Sequence, residues 1–236
     1  MPGRLENRIA LITGASRGIG AAVAKRFAAE GAHVILVART QGGLEEVDDA
    51  IREAGGTASL VPLDLQDFES IDRLAAVLAE RHGKLDVLVG NAAILGALSP
   101  MSHYEPKIWR QVLDINLNAN WRLIRDFDAL LRASDSGRAM FVTSGVVRNV
   151  RAYWGPYAAS KAGLENMVLG WAAELANTNV CANLIDPGRV RTGMRRQAYP
   201  GEDANKHPYP DAITDEFVTL AEPSCTRQGE LVSVAL

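Results

Sequence analysis

The chain has 236 residues, of which 47% are hydrophobic and 22% are charged, and its formal net charge is −3. This composition is typical of a globular protein with a large core, and the weak charge gives no reason to expect nucleic acid or a membrane surface as a partner. No apolar run approaches the roughly 20 residues that span a bilayer. The four histidines are scattered and the two cysteines lack the spacing of metal ligands, so we expect no metal site.

The N-terminal segment Met1–Arg8 lacks the apolar core of a signal peptide. Cys181 lies in an apolar run, where a free cysteine behaves as a small buried residue. These two features predict a reduced, cytoplasmic protein without disulfides.

Short apolar runs alternate with longer segments of helical periodicity along almost the whole chain. The predicted strands are residues 9–13, 33–37, 58–61, 85–89, 139–143, 180–185 and 231–234. The predicted helices are residues 18–30, 41–54, 68–82, 105–132, 156–177 and 212–221. Residues 187–210, which are dense in Pro, Gly, Arg and Tyr, are predicted to form a long loop.

This alternation predicts a doubly wound α/β fold, in which helices cover both faces of a parallel sheet through right-handed crossovers. The sequence contains no linker or repeat, so we expect a single domain over residues 1–236, with residues 188–210 as its substrate loop. In such sheets, ligands bind at the carboxyl ends of the strands.

A glycine-rich turn, Thr13-Gly-Ala-Ser-Arg-Gly-Ile-Gly20, joins the first strand to its helix. Glycines permit a tight turn and let backbone amides at a helix N-terminus approach a pyrophosphate. The other interpretation is a turn that only packs helix on strand, which its place at the start of the sheet disfavours. The cofactor-binding candidates in this turn are Gly14, Ser16, Arg17, Gly18, Ile19 and Gly20.

The end of the second strand indicates which dinucleotide the chain prefers. It reads Val37-Ala38-Arg39-Thr40, without the acid that binds ribose hydroxyls in many dinucleotide sites. Arg17 and Arg39 can both reach a 2′-phosphate, which guanidinium groups bind well. We therefore predict NADP, with NAD as the alternative if both arginines are only solvated surface residues.

Tyr157 and Lys161 lie four residues apart, on one face of a predicted helix. An ammonium near a phenol favours the phenolate and lowers a pKa that is ordinarily about 10. The pair can therefore transfer protons near neutral pH, although such a pair also arises by chance. Ser144 ends the fifth strand on the same edge, where a hydroxyl can polarise a carbonyl. Thr143 is next to it, and only one of the two should face the site.

These motifs together resemble the short-chain dehydrogenase/reductase family, in its single-domain branch. The matching elements are the Thr13–Gly20 turn, Ser144, Tyr157-x-x-x-Lys161 and Pro187-Gly188. The resemblance implies a Rossmann-like sheet of about seven strands and hydride transfer between NADP(H) and a carbonyl or secondary alcohol. It leaves 3-oxoacyl thioesters, steroids, sugars and small ketones open as substrates. The alternative is an idle dinucleotide-binding redox sensor on the same fold, which the complete set of Asn116, Ser144, Tyr157 and Lys161 disfavours.

The resemblance also implies roles for further residues. Asn116 is the active-site asparagine, which would anchor a water behind Lys161, and Lys161 would bind the nicotinamide ribose. The cofactor contacts beyond the glycine turn are Arg39, Asp64, Leu65, Asn91, Ala92, Pro187, Gly188, Val190 and Thr192. This chain has Gly90 and Ala93 where the family has Asn and Gly, which removes one side-chain hydrogen bond.

Of the three asparagines at 116, 118 and 120, one is expected to turn inward, because asparagine is a poor helix former.

The sequence says less about the substrate pocket than about the cofactor site. The expected pocket residues are Ile94, Leu95, Gly96, Val146, Val147, Trp154 and the 188–210 loop. The loop is basic because it contains four arginines, Arg189, Arg191, Arg195 and Arg196. One interpretation is an anionic or carrier-linked substrate. The other, which we slightly favour, is a solvated lid. Family members pair two helices across a subunit interface, so we expect a homodimer or homotetramer, with Trp121 and Trp171 as candidates for its seam.

Overall fold

Seven parallel strands form one sheet in the order β3-β2-β1-β4-β5-β6-β7 in the computed structural model, which describes residues 3–234. The strands are β1 (Ile9–Thr13), β2 (His33–Ala38), β3 (Thr57–Pro62), β4 (Val87–Gly90), β5 (Arg138–Val142), β6 (Cys181–Asp186) and β7 (Leu231–Ser233). The order reverses between β1 and β4, which defines the switch point of a doubly wound sheet. Residues 1–2 and 235–236, the ends of the predicted domain, lie outside the described residues.

Within residues 3–234, eight α-helices flank this sheet. They are α1 (Gly18–Ala29), α2 (Gln41–Glu53), α3 (Phe68–His82), α4 (Pro106–Leu113), α5 (Ala119–Arg132), α6 (Gly155–Glu174), α7 (Gly193–Ala198) and α8 (Thr214–Ala221). One core lies under α1, α2 and α8, and a second under α3, α5 and α6 on the other face. The predicted doubly wound fold is confirmed, and continuous apolar strands such as β5, which is buried throughout, follow from this double cover.

The structure departs from the predicted elements in two places. The predicted loop over 187–210 contains helix α7 and a 3₁₀ turn, Ala204–Lys206. The predicted helix over 105–132 is divided by a π-helical turn, Asp114–Asn118, between α4 and α5. Such turns often mark functional sites, because they re-aim the side chains that they contain.

Trp171 lies in the core, so the prediction that it belongs to a subunit seam is wrong. Its side chain is 6% exposed and packs edge-on against Phe141 at 6.3 Å between ring centroids. Its indole nitrogen donates to Asp128 at 3.1 Å. Trp121 is 47% exposed and remains the candidate.

A buried carboxylate ties the amino end of the sheet together. Asp86 precedes β4, and its side chain, which is 3% exposed, accepts hydrogen bonds from the backbone of Ile9 at 2.9 Å and from Ser134 at 2.5 Å. Lys84 donates to the same carboxylate at 3.0 Å. These contacts lie at the end of the sheet opposite the carboxyl edge.

No helix among residues 3–234 is long and apolar enough to cross a bilayer.

Candidate active site

The glycine-rich turn between β1 and α1 is held in a conformation that needs glycine. Gly14 and Gly18 have φ angles of +67° and +59°, in the left-handed region. A Cβ added to Gly20 would lie 2.6 Å from the side-chain amide nitrogen of Asn91 and would also collide with the backbone of Gly14. Arg17, at the N-cap of α1, provides no side-chain cap, so the first amides of the helix face the turn without one. This arrangement is that of an anion site.

Thr13 joins this turn to the turn that follows β4. Its hydroxyl donates to the carbonyl of Val89 at 3.2 Å and accepts from the amides of Asn91 and Ala92 at 3.0 and 3.1 Å. The Asn91 side chain donates back to the Thr13 carbonyl at 2.8 Å. Thr13 is fully buried, and the sequence had given it no role of its own.

The structure explains why glycine stands at position 90. A Cβ there would lie 2.6 Å from both a ring carbon of Phe141 and the side-chain oxygen of Asn120. The space is already filled, so the turn forms without the side-chain hydrogen bond that the family pattern has at this position.

The candidates near the end of β2 and β3 lie on the surface. Arg17 and Arg39 are exposed, and the only carboxylate contact of Arg39 among the described residues is with Asp64, at 4.0 Å. Asp64 accepts from the backbone of Gln66 at 3.0 Å, whereas Leu65 is buried. Ser16 lies against α2, where a Cβ on Gly43 would be 3.0 Å from it.

Tyr157 and Lys161 point from the first turns of α6 into the protein, and their side chains are almost fully enclosed. Tyr157 is 6% exposed and Lys161 is 1% exposed. The Lys161 ammonium donates to the carbonyl of Val142, at the end of β5, at 2.7 Å. It lies 6.0 Å from the centre of the Tyr157 ring.

Burial is the largest influence on the pKa of both side chains, Tyr157 and Lys161. It raises the pKa of Tyr157 to about 12, although a hydrogen bond with Ser144 acts in the opposite direction; the negative charge of Asp186 raises the pKa further. Burial lowers the pKa of Lys161 to about 8, against the pull of Glu165. The predicted lowering of the Tyr157 pKa is therefore wrong in sign, because burial disfavours the charged phenolate.

The two hydroxyl side chains that directly follow β5, those of Thr143 and Ser144, have different surroundings. The Thr143 side chain is buried and donates to Glu165 of α6 at 2.6 Å. Ser144 is half-buried and interacts with the Tyr157 hydroxyl. Ser144 is thus the hydroxyl that faces the candidate site.

Asn116 lies in the π-helical turn and is fully buried. Its side chain accepts from the amide of Ile94 and donates to the Ile94 carbonyl, both at 2.9 Å, and it donates to Ser160 at 3.1 Å. It therefore connects the loop after β4 to the helix that carries Tyr157. Asn120 also turns inward and donates to the Asn116 carbonyl at 2.8 Å, so two asparagines are buried rather than one.

An apolar cluster surrounds the Tyr157 ring. Leu95 and Val146 pack against Tyr157, and Trp154 meets it edge-on at 5.7 Å between ring centroids. Helix α7 contributes to this cluster, because its residues Met194 and Ala198 pack against it. The sequence prediction included these two residues only as part of the 188–210 loop, since α7 is too short to show a helical pattern.

Polar contacts hold this covering segment in place. Gln197 donates to the carbonyl of Gly96 at 3.2 Å. Arg195 pairs with Glu202 at 2.5 Å, and Arg191 donates to the Tyr209 hydroxyl at 2.7 Å. Two of the four arginines of the loop are therefore engaged within it.

The segment after β6 lies beside the glycine-rich turn. Gly188 has a φ of +68°, its amide donates to Asp186 at 3.1 Å, and Val190 is buried. Thr192 caps α7 and would lie 3.7 Å from a Cβ on Gly18. Pro187 links this segment to Asp186.

Known proteins resemble this chain over nearly its full length. A family model described as short chain dehydrogenase matches residues 8–203. The uncharacterized oxidoreductase YciK of Escherichia coli K12 is 38% identical over 219 residues, covering 92% of this chain and 86% of the relative. A structure described as a short chain dehydrogenase from Pseudomonas syringae has a TM-score of 0.95 and 39% identity, and the match covers 99% of this chain and 96% of that one.

A further solved structure carries a cofactor. It is described as a short chain dehydrogenase from Escherichia coli CFT073 complexed with NADPH, and it has a TM-score of 0.94 and 37% identity over 99% of this chain and 98% of that one. The chain therefore belongs to the short chain dehydrogenase family and is an oxidoreductase. The family predicted from the motifs is confirmed.

Proposed function

We propose that the protein transfers hydride between NADP(H) and a carbonyl or secondary alcohol substrate. The observation that carries the proposal is the Tyr157 side chain, which packs in an apolar cluster with Leu95 and Val146 and whose hydroxyl interacts with Ser144. A carbonyl group bound at these two hydroxyls would meet a proton donor and a polarising group together. One domain then carries both sites, with residues 188–210 as the substrate segment.

The residues at the carboxyl edge fit a phosphorylated dinucleotide. Glycine at position 20 lets the turn pack closely against Gly14 and Asn91, and the α1 amides, which no side chain caps, can then meet a pyrophosphate. Arg17 and Arg39 are exposed at the position where a 2′-phosphate would extend, and Arg39 has only a loose contact with Asp64. The NADPH complex of the Escherichia coli CFT073 protein supports the same cofactor, and NAD is the alternative.

The proposed cofactor residues extend along the whole edge. They are Gly14, Ser16, Arg17, Gly18, Ile19, Gly20, Arg39, Asp64, Leu65, Asn91, Ala92, Tyr157, Lys161, Pro187, Gly188, Val190 and Thr192. The proposed catalytic residues are Asn116, Ser144, Tyr157 and Lys161.

NADPH, when bound, supplies the hydride to the carbonyl carbon. Tyr157 donates a proton to the carbonyl oxygen, and the phenol is available for this because its raised pKa keeps it protonated at neutral pH. Ser144 donates a hydrogen bond to the same oxygen as negative charge develops there. Lys161, which Val142 holds in place, would bind the nicotinamide ribose, and Asn116 fixes the start of α6 through Ser160.

A panel of carbonyl compounds tests this proposal. We expect oxidation of NADPH, followed by its absorbance, with ketones that have an apolar body, and a KM for NADPH lower than that for NADH. A clear preference for NADH would contradict the assignment of Arg17 and Arg39. NADPH binding without turnover across a broad panel would favour the redox-sensor alternative.

We also propose that the protein is a cytoplasmic homodimer or homotetramer. The free thiols of Cys181 and Cys225 agree with a reducing compartment. Trp121, which is exposed between the guanidinium groups of Arg122 and Arg125, supports a subunit contact on α5. Sedimentation velocity measures the mass, and a monomer at micromolar concentration would refute the oligomer; cell fractionation tests the location.

A further inference from the structure

Arg148 connects the three segments that carry the candidate active site. It follows Ser144 by four residues, and its backbone amide donates to Gly145 at 3.2 Å, which closes the turn after β5. Its guanidinium donates to Glu165 at 2.8 Å and to Asp186 at 2.7 Å. One side chain therefore joins the Ser144 turn, helix α6 and the end of β6.

Both carboxylates that Arg148 bridges also contact site segments. Glu165 lies one helical turn after Lys161 and accepts from the Thr143 hydroxyl at 2.6 Å, next to Ser144. Asp186 accepts from the amide of Gly188 at 3.1 Å, at the start of the segment proposed to hold the nicotinamide side.

These carboxylates are poorly solvated. The side chains of Glu165 and Asp186 are 13% and 12% exposed, and Arg148 is the cation that pairs with both among the described residues. An enclosed pair that loses one partner leaves an uncompensated charge, which is costly. The charge of Asp186 also bears on Tyr157, so its neutralisation matters at the proton donor.

We propose that Arg148 is a positioning residue for the reaction, which fixes the Ser144 turn and the Gly188 segment against α6 and neutralises Asp186 beside Tyr157. The inference rests on the proposed function. Because Arg148 acts through Glu165 and Asp186, its loss should reduce turnover more than it reduces folding stability.

The test compares three single substitutions and one double variant in the full-length protein. Arg148→Met removes the bridge, and Arg148→Lys keeps a cation that cannot form the two-pronged contact of a guanidinium. Arg132→Met is the matched control, since Arg132 pairs with Asp128 at 2.7 Å on α5 and has 39% side-chain exposure against 38% for Arg148. Each variant is assayed for kcat and KM with NADPH and the best ketone of the panel, and for its melting temperature.

We expect Arg148→Met to lower kcat about 10- to 100-fold, the range for a displaced catalytic constellation. Arg148→Lys should recover part of this loss, and the control should keep the wild-type kcat. Adding Asp186→Asn to Arg148→Met should restore part of kcat, because asparagine can still accept from Gly188 but carries no charge. A purely structural role would not produce that rescue.

Several outcomes would overturn the inference. Wild-type kcat in Arg148→Met, an equal loss in the Arg132 control, or a further loss on adding Asp186→Asn would each refute the role of Arg148. If Arg148→Met does not fold, a wild-type kcat in Arg148→Lys would refute the role of Arg148. A wild-type protein that reduces no carbonyl compound would refute the proposed function, and with it this role.

Discussion

The Tyr157 hydroxyl retains its proton throughout the neutral range because the surrounding protein does not solvate a phenolate. The ring is 6% exposed, and burial raises its pKa to about 12. A group that stays protonated is suited to donate to a carbonyl oxygen. The reverse reaction needs the phenolate, so it should become faster as the pH rises towards that pKa.

Tyr157→Phe should remove the proton donor and leave the ring packing intact. We expect turnover to fall at least about 100-fold, the lower range for a lost general acid. NADPH affinity, measured by fluorescence titration, should persist because Lys161 and the glycine-rich turn are unchanged. Tyr153→Phe is the control, since Tyr153 is 58% exposed. Near-normal turnover in Tyr157→Phe would show that another group supplies the proton.

At the scale of elements, the turn between β1 and α1 and the turn after β4 act as one unit. Thr13 and Asn91 bind each other's backbone, so neither turn can shift alone. Gly20 lies at their contact, where any side chain meets the Asn91 amide. The pyrophosphate site therefore depends on a close approach between two turns far apart in sequence.

Gly20→Ala should disturb this contact, whereas Gly170→Ala should not. Overpacking of this kind costs about 1–3 kcal/mol of unfolding free energy, and NADPH binding should weaken with it. Gly170 is exposed within α6 and a Cβ there meets nothing within 4 Å, so alanine should raise the unfolding free energy by about 0.5–1 kcal/mol. Urea unfolding and NADPH titration measure both effects; changes of the same sign in the two variants would contradict the argument.

The regular elements could be predicted because their patterns repeat over enough residues. The apolar stripe of α6 at 164, 168 and 171 indicates a helix, but it does not tell whether a given tryptophan faces the sheet or a second subunit. Trp171 was misjudged for that reason. Helix α7 has six residues and a single cap, Thr192, so no periodicity could reveal it.

At the scale of the whole molecule, the two ends of the sheet have different roles: the carboxyl edge carries the candidate active site, and the amino end carries the buried Asp86 network. Parallel strands bring every carboxyl end to one edge of the sheet. Ser144 and Tyr157 both follow β5, so they could be predicted to lie together at that edge. The Arg148 bridge could not be predicted, because Glu165 and Asp186 meet it only through the packing of α6 on β6. The acidity of Tyr157 could not be predicted either, since it depends on burial.

The amino end of the sheet should govern stability in acid. Burial raises the pKa of Asp86, but hydrogen bonds from Ser134, Ile9 and Lys84 outweigh it and hold the pKa below its usual value. The stability from the ionised group is therefore complete above the usual pKa of about 3.9 and is lost as the pH falls through the lower folded pKa.

Asp86→Asn should therefore lower the unfolding free energy at pH 7 by about 1–3 kcal/mol, because the amide leaves part of this buried network unsatisfied. The unfolding free energy of the variant should also fall less steeply between about pH 5 and 2, since unfolding no longer includes proton uptake by Asp86. Urea unfolding at several pH values measures both effects, with Asp49→Asn, an exposed change on α2, as the control. The kcat should stay at the wild-type value, because Asp86 lies at the edge opposite Ser144 and Tyr157. Equal acid slopes in the variant and the wild type would show that Asp86 does not carry this stability.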